Sequence, residues 1–254
     1  MLDIFIILFA LVFGSFLNVL IYRLPLEKSF FTPIRSACPK CNYQLKWYEN
    51  IPLISYIFLK AKCSSCKSDI STIYFIVELL SVIVTYSLYL KLGLDYNFYI
   101  TTLLFYILIV LSFIDLKYKA VPDYLLLIAL VCTLFINNIN YQDMFIFTGA
   151  FVLLNFILTF YIQNIKSKLT KNKELQTQTA LGEGDIPIVA IIAAILGLKL
   201  SIIAVFIAAI TAIIPSIYNI IQKDDIETPF IPFLVFGLFL TYIFDTKILY
   251  IIGL

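Results

Sequence analysis

Long apolar runs separated by short polar stretches dominate the pattern along the chain. They predict about eight membrane-spanning helices, roughly at 2–22, 72–90, 98–115, 122–138, 143–163, 186–198, 201–221 and 230–252. The continuous run 186–221 is too long for one crossing of about 20 residues, so we expect a break at 197–199. These runs lack the alternation of a membrane barrel, and a lone segment in lipid must be helical to pair its backbone. The predicted fold is an all-α polytopic membrane protein.

Composition agrees with this prediction. The chain has 254 residues, of which 62% are hydrophobic and 13% are charged, whereas a soluble domain has about 25% charged residues. The first apolar run starts at Leu2 with no basic segment before it and no small-residue cleavage site. It is therefore predicted to be a retained span and not a signal peptide.

The net charge of +2 hides an uneven distribution of basic residues. Alternate loops (23–71, 116–121, 164–185 and 222–229) hold 15 of the 18 Lys and Arg residues. The positive-inside rule predicts that these loops are cytoplasmic and that both termini lie outside. Topology accounts for the basic surface, so no nucleic-acid partner is expected, and the lipid bilayer is the predicted environment.

The polar loop 23–71 contains four of the five cysteines, in the spacing C-x2-C-x21-C-x2-C: Cys38, Cys41, Cys63 and Cys66. Two such pairs can complete a tetrahedral Zn²⁺ site. The alternative is two disulfides, which are rare on the reducing side of a membrane. Zinc is therefore favoured, and a site closed by four thiolates is typically structural. The predicted order is a first span (1–22), a cytoplasmic zinc-binding loop domain (23–71) and a transmembrane domain (72–254).

The chain has no histidine, so a serine or cysteine nucleophile would lack its usual imidazole base. Four acids, Glu78, Asp115, Asp123 and Asp185, lie at the predicted cytoplasmic ends of spans. Singly, each is best interpreted as a solvated helix end. Asp115 closes the third span and Asp185 opens the sixth, which places them at one depth on one face of the membrane. Two carboxyl groups that share a proton can activate water and protonate a leaving amine.

The surroundings of Asp185 suit this chemistry. Gly182 and Gly184 have no Cβ, which allows a substrate strand to approach closely. Pro187 is suited to the first turn of a helix. Helix polarity predicts an ionised Asp185, near a helix N-terminus, and a protonated Asp115, near a C-terminus.

The ordered motifs resemble the bacterial type IV prepilin peptidases, which are membrane aspartic proteases of the Gly-x-Gly-Asp class. The resemblance covers nearly the whole chain. It is carried by GSFLNVLIYRLP (14–25), the two Cys-x-x-Cys pairs within 38–71, YFIVELL (74–80), FIDLKYKAVPDYL (113–125) and GEGDIPIVA (182–190). A lone Gly-x-Gly-Asp is a weak signal, whereas this set in this order is highly specific.

The resemblance implies an activity, cofactors and partners. Such enzymes cut the basic leader of prepilins and pseudopilins at the cytoplasmic face of the bacterial inner membrane. They then methylate the new N-terminal residue with S-adenosylmethionine. The catalytic aspartates carry over to Asp115 and Asp185, with Asp123 as a supporting residue, and the cysteines to a zinc site. Pro187 stands where many members have lysine, and Lys117 and Lys119 are candidates to replace that cation.

Three alternative functions remain open at this stage. A transporter with proton-relaying acids would place them near the bilayer midplane, whereas these acids cluster at one face. A membrane-anchored zinc-ribbon adaptor explains the cysteines but gives the acidic motifs no purpose. The third alternative is a peptidase whose cysteine loop is purely structural. The sequence does not specify an oligomeric state.

Overall fold

The computed structural model describes residues 1–26, 37–38, 40–170, 173–222 and 228–253. Those residues form ten α-helices: α1 Leu2–Arg23, α2 Ile54–Phe58, α3 Thr72–Leu92, α4 Tyr96–Tyr118, α5 Asp123–Thr133, α6 Tyr141–Phe160, α7 Ser167–Thr170, α8 Asp185–Gln222, α9 Ile231–Ile243 and α10 Asp245–Ile252. Between these helices lie short 3-10 turns, one π-helical segment, loops and two isolated bridges. The all-α prediction is confirmed over this part of the chain. Parts of the predicted loops 23–71, 164–185 and 222–229 lie outside the described residues, namely 27–36, 39, 171–172 and 223–227.

The predicted count of eight spans is not confirmed. Five described helices are long and apolar enough to cross a membrane, and a sixth span is formed if α9 and α10 count as one. The predicted span 122–138 is shorter than expected, because α5 ends at Thr133 and has only 11 residues. The predicted span 230–252 is bent by 80° between α9 and α10. Hydropathy alone therefore predicts more crossings than the lengths of the described helices support.

The predicted break within 186–221 is confirmed at Gly197. This glycine has φ 70° and ψ 172°, which interrupts α8. Asp143, near the start of α6, accepts a hydrogen bond from the Leu198 backbone N–H at 3.0 Å, as an N-cap would for the second half of α8. Asn140 N–H donates to the Ala194 carbonyl at 3.0 Å, at the end of the first half. The start of α6 thus stabilises both new helix ends.

The chain divides into two compact units, Met1–Ile114 and Asp115–Leu254. In the first unit, α1 and α3 approach closely where Gly14 lies against Ser81. The Ser81 hydroxyl donates to the Ala10 carbonyl at 2.9 Å. Small residues and an interhelical hydrogen bond are the usual means by which helices associate in lipid, where the hydrophobic effect contributes little.

The second unit is built on α8. Its first half is buried on all sides from Ile188 to Ala194, as expected for a helix in the centre of a bundle. Its second half packs against α9, where Gly237 faces the backbone of Ala204. The residues of α8 and α9 that meet there are small, so the two helices can approach closely and hold Asp185 on a rigid element.

The predicted polar loop 164–185 is partly helical. The helix α6 continues as a π-helical segment, Tyr161–Lys166, and then as α7. Within the described residues, a 3-10 turn, Lys173–Gln176, and an irregular loop lead to Asp185. The loop that leads to Asp185 is therefore shorter than the sequence predicts.

Candidate active site and metal centre

Asp185 is the first residue of α8 and is buried, with 5% of its surface exposed. Its carboxylate accepts a hydrogen bond from the Gly182 backbone N–H at 3.1 Å. Its own N–H donates to the Gly182 carbonyl, also at 3.1 Å. These two reciprocal bonds close a tight turn and fix the Asp185 carboxyl group at the N-terminus of a buried helix.

Asp115 lies in the last turn of α4 and is also buried, with 8% exposed. Lys119 ends this helix in a left-handed conformation, with φ 52°, and its N–H donates to the Asp115 carbonyl at 2.8 Å. The Asp115 side chain accepts a hydrogen bond from the Ile231 N–H at 3.3 Å. Ile231 is the first residue of α9, so Asp115 caps a helix 116 residues away in sequence.

The structure brings the two aspartates to neighbouring positions, because Gly184, next to Asp185, lies against Ile231, whose N–H donates to the Asp115 carboxylate. The roles predicted from helix polarity are not supported by this arrangement. Asp115 lies at the C-terminus of α4 and also at the N-terminus of α9, whose positive end offsets the effect of α4. Both carboxyl groups therefore meet a helix N-terminus, and polarity does not distinguish the acid from the base.

Gly184 explains how the two aspartates approach each other. A Cβ on this residue would lie 2.8 Å from Val121 Cγ2 and 3.5 Å from Ile231 Cδ1. Val121 follows Asp115 in the chain, and Ile231 holds the Asp115 carboxylate. Gly184 is thus the contact between the segment that carries Asp185 and the elements that position Asp115. Gly182 is less restricted, because its nearest neighbour would be Asp185 Oδ2 at 3.4 Å.

The other two predicted acids have different environments. Asp123 is exposed at the start of α5. Glu78 is buried in α3, in the first unit, and accepts a hydrogen bond from the Leu53 backbone N–H at 2.8 Å. Glu78 therefore fixes the loop that carries the cysteines and is not a solvated helix end.

Sequence reasoning missed the anchors of the segment before Asp185. The Thr159 hydroxyl, on α6, accepts a hydrogen bond from the Ala180 N–H at 3.0 Å. One turn later, the Gln163 side chain donates to the Gln178 carbonyl at 3.0 Å. The signal in the sequence is the spacing of four between two polar residues on an apolar helix, which places them on one face.

The two Cys-x-x-Cys motifs fold into equivalent turns, offset by 25 residues. In each turn the first cysteine's carbonyl accepts from the N–H four residues on, at 2.9 Å for Asn42 and 3.0 Å for Lys67. Both of these residues have positive φ, 56° and 57°. Short antiparallel bridges, Ala37 with Gln44 and Lys62 with Asp69, close the bases of the turns. Each motif thus forms the same turn closed by a bridge, and we call this unit a knuckle.

The four cysteine sulfurs lie close together, which confirms the prediction that the two motifs form a single cluster. All four Sγ atoms lie within 4.8 Å of one another, and the Cys38–Cys66 and Cys41–Cys63 pairs are 3.9 and 4.0 Å apart. All are free thiols and not disulfides. Tetrahedral Zn–S bonds of about 2.3 Å require sulfurs about 3.8 Å apart, so the arrangement fits a zinc ion.

Local hydrogen bonds favour the thiolate form that a metal requires at two of the four cysteines. Backbone N–H groups of Cys41 and Lys40 lower the pKa of the Cys38 thiol to about 6. The Ser68 hydroxyl, 3.1 Å from the Cys66 sulfur, lowers the pKa of that thiol. Because thiolates and not thiols bind metals, these contacts prepare two of the four sulfurs for a cation. The Cys41 thiol receives a hydrogen bond from the Tyr43 N–H, but desolvation and the Cys66 sulfur raise its pKa to about 11.

Comparisons with known proteins agree with this geometry. Residues 8–92 match the bacterial Peptidase A24 N-terminal domain, and residues 102–217 match the type IV leader peptidase family. The two matches divide the cysteine cluster from the aspartate pair. No solved structure is similar to the chain at a significant level.

Three curated relatives carry the name prepilin leader peptidase/N-methyltransferase. The Dichelobacter nodosus protein is 32% identical over 96% of this chain and 92% of its own length. The Myxococcus xanthus protein is 41% identical over 47% of this chain and the Vibrio cholerae protein 42% over 48%. Those two alignments cover only 35% and 52% of the relatives' lengths. Because the alignment with the first is nearly full-length and both family profiles match, the chain belongs to the type IV leader peptidase family.

Proposed function

We propose that this protein cuts the leader peptide from type IV prepilins and pseudopilins with the paired carboxyl groups of Asp115 and Asp185. The observation that carries the proposal is their convergence as buried acids at two helix N-termini. Full-length similarity to proteins named as prepilin leader peptidases supports the substrate class. Both aspartates lie at ends of apolar helices, where a substrate helix in the bilayer would present its cleavage site.

The chemistry requires one carboxylate and one carboxylic acid. The carboxylate takes a proton from water as the water oxygen attacks the scissile carbonyl carbon. The carboxylic acid then gives its proton to the leaving amine as the C–N bond breaks. Gly182 and Gly184 leave room for an extended substrate backbone, and Asp123, exposed at the start of α5, is a supporting acid.

The chain's topology follows from the basic loops. We place the aspartates and the cysteine loop at the cytoplasmic face of the bacterial inner membrane. In this arrangement the first span and the 23–71 loop domain precede a peptidase domain over 72–254. Eight crossings require that the two halves of α8 and the short α5 each cross the membrane, with the bilayer thinned around the shorter ones.

The cysteine cluster and the second activity belong to the N-terminal domain. Cys38, Cys41, Cys63 and Cys66 would hold a structural Zn²⁺ and keep the loop folded. The methyltransferase activity is supported by the names of the relatives. It would move a methyl group from the sulfonium of S-adenosylmethionine to the new N-terminal amine, with loss of a proton and release of S-adenosylhomocysteine.

Mass spectrometry of a prepilin incubated with the purified protein in detergent tests both activities. We expect loss of the leader with the wild type and no cleavage with Asp115→Asn or Asp185→Asn. Glu183→Gln is the matched control, since this exposed acid lies between the two glycines and its neutralisation should leave cleavage intact. An active single aspartate variant would refute the paired mechanism.

Addition of S-adenosylmethionine tests the second step. A mass gain of one methyl group on the cleaved product supports the bifunctional enzyme. Cleavage without that gain supports a peptidase whose cysteine loop is structural, which the closed four-sulfur geometry also permits. A folded, zinc-containing protein that cleaves no prepilin would favour the adaptor.

A further inference from the structure

An exposed apolar surface lies on the cysteine loop, outside the predicted spans. It consists of five residues, which we call the aromatic patch: Trp47, Tyr48, Ile54, Ile57 and Phe58. Trp47 and Phe58 expose 81% and 82% of their surfaces and Ile57 exposes 63%. Contiguous exposed apolar side chains of this size usually mark a surface that contacts a protein or a membrane.

The patch is fixed beside the start of α3. The Leu53 N–H, just before α2, donates to the Glu78 carboxylate at 2.8 Å. The Tyr56 ring packs in a tilted arrangement against the Phe75 ring, with centroids 5.4 Å apart. Both α3 partners lie in its first two turns. Helix α2, which carries the patch, is therefore held beside the first two turns of α3 and does not extend beyond the end of that helix.

The length of α3 sets the depth of this contact. Its 21 residues extend roughly 32 Å, which is about the thickness of the hydrocarbon core. Because the helix is no longer than the hydrocarbon core is thick, its first two turns must lie at or just inside the edge of the core. Exposed apolar residues on the same turns of α3, Tyr74, Ile76 and Leu79, continue the patch into the lipid-facing surface. Helix α2 thus lies at the boundary between headgroups and acyl chains.

Charge around the patch is complementary to that boundary. Lys46 precedes Trp47, and Lys60 and Lys62 follow α2. The loop 23–71 carries eight Lys and Arg residues against three Asp and Glu residues. Lysines beside aromatic side chains are typical of segments that insert their apolar face into the interface and reach anionic headgroups with their amines.

We propose that the aromatic patch inserts into the interfacial region of the lipid bilayer and holds the cysteine cluster at the membrane surface. The connection from patch to cluster is short. The Ala61 N–H donates to the Tyr56 carbonyl at 2.9 Å, and the Ile70 N–H donates to the Ala61 carbonyl at 2.7 Å. Cys63, the first cysteine of the second knuckle, lies two residues after Ala61. Anchoring α2 therefore also fixes the position of the second knuckle. This inference concerns membrane contact and does not depend on either catalytic activity.

The test uses the only tryptophan of the chain, Trp47, so that intrinsic fluorescence reports on the patch alone. The full chain is placed in nanodiscs made with a scaffold that contains no tryptophan, which leave both faces open to solvent, with phosphatidylcholine and phosphatidylglycerol. We expect emission at shorter wavelength than that of a water-exposed tryptophan, strong quenching by lipids brominated on the acyl chains, and little quenching by iodide.

Two variants sharpen this test. Phe58→Asp puts a charge into the patch and should move Trp47 emission to longer wavelength and increase quenching by iodide. Gln44→Asp adds the same charge at an exposed residue of the first knuckle, outside the patch, and should change neither. Phe58 is almost fully exposed, so the variant should fold, and size-exclusion chromatography checks this.

Three outcomes would overturn the proposal. Free access of iodide with no quenching by brominated lipid would show a patch in water. Protection from both quenchers would show cover by protein, such as a second copy. Iodide access that disappears only when a prepilin is added would assign the patch to the substrate.

Discussion

Gly184 provides the sharpest test of how the two aspartates are held. In Gly184→Ala the new methyl group would lie 2.8 Å from Val121 Cγ2, whereas carbon atoms pack best at about 3.5–4.0 Å. The two elements must separate by roughly 1 Å, because valine is stiff at χ1 and cannot readily turn away. Overpacking of this kind costs about 1–3 kcal/mol of stability. A misplacement of about 1 Å costs up to about 100-fold in rate.

The assay is the steady-state cleavage of a prepilin in detergent, and we expect kcat/KM to fall by about 10- to 100-fold. The matched control is Gly149→Ala, on α6, because its new methyl group meets nothing within 4 Å and should have no effect on cleavage.

A second substitution tests the physical cause. Val121→Ala removes the atom that the new methyl group would meet, so the double variant Gly184→Ala/Val121→Ala should recover most of the lost activity. Full activity of Gly184→Ala would refute the proposed contact. A folded double variant that stays inactive would also refute it, since the defect would then not arise from crowding at Val121.

Two further substitutions test the supports of the site, with the same cleavage assay and thermal unfolding as measurements. Thr159→Val removes the acceptor of the Ala180 N–H and should slow cleavage roughly 5-fold, for a loss of about 1 kcal/mol. Thr148→Val on the same helix is its control, because the Thr148 hydroxyl has no partner within the described part of the chain. Gly237→Ala directs a methyl group at the Ala204 carbonyl oxygen. It should destabilise the α8–α9 pair by about 3 kcal/mol, and unchanged thermal unfolding would contradict that packing.

The fold was predictable where the hydrophobic pattern is local. Long apolar runs gave the helices, and a run too long for one crossing gave the break, which the structure places at Gly197. The number of full crossings was not predictable. The end of α5 at Thr133 and the bend before Asp245 depend on turn geometry within apolar sequence, where hydropathy does not change.

The candidate site was predictable in its residue types and not in its contacts. The absence of histidine and the position of Asp115 and Asp185 at helix ends indicated a carboxyl pair. The hydrogen bond from Ile231 was missed, because no local pattern links residues 116 positions apart. That bond also changes the expected electrostatics, since it adds a second helix N-terminus that the one-dimensional argument about helix polarity had left out.

The division of the chain predicts that the two activities can be separated. Every contact described above for the aspartate pair is made within Asp115–Leu254, and the cysteine cluster lies wholly within Met1–Ile114. Cys63→Ser should therefore lose zinc and methylation while it still cuts prepilin. Cys132→Ala is the matched control, because it removes the fifth cysteine, outside the cluster.

The reciprocal variant completes the argument. Asp185→Asn should not cut prepilin but should still methylate a pilin supplied without its leader, since that substrate already has the free N-terminal amine. If a folded Cys63→Ser protein loses cleavage as well, the cysteine loop must take part in cutting. The assignment of hydrolysis to the second unit alone would then be wrong, because loss of the metal from the first unit would have impaired cleavage by the carboxyl pair.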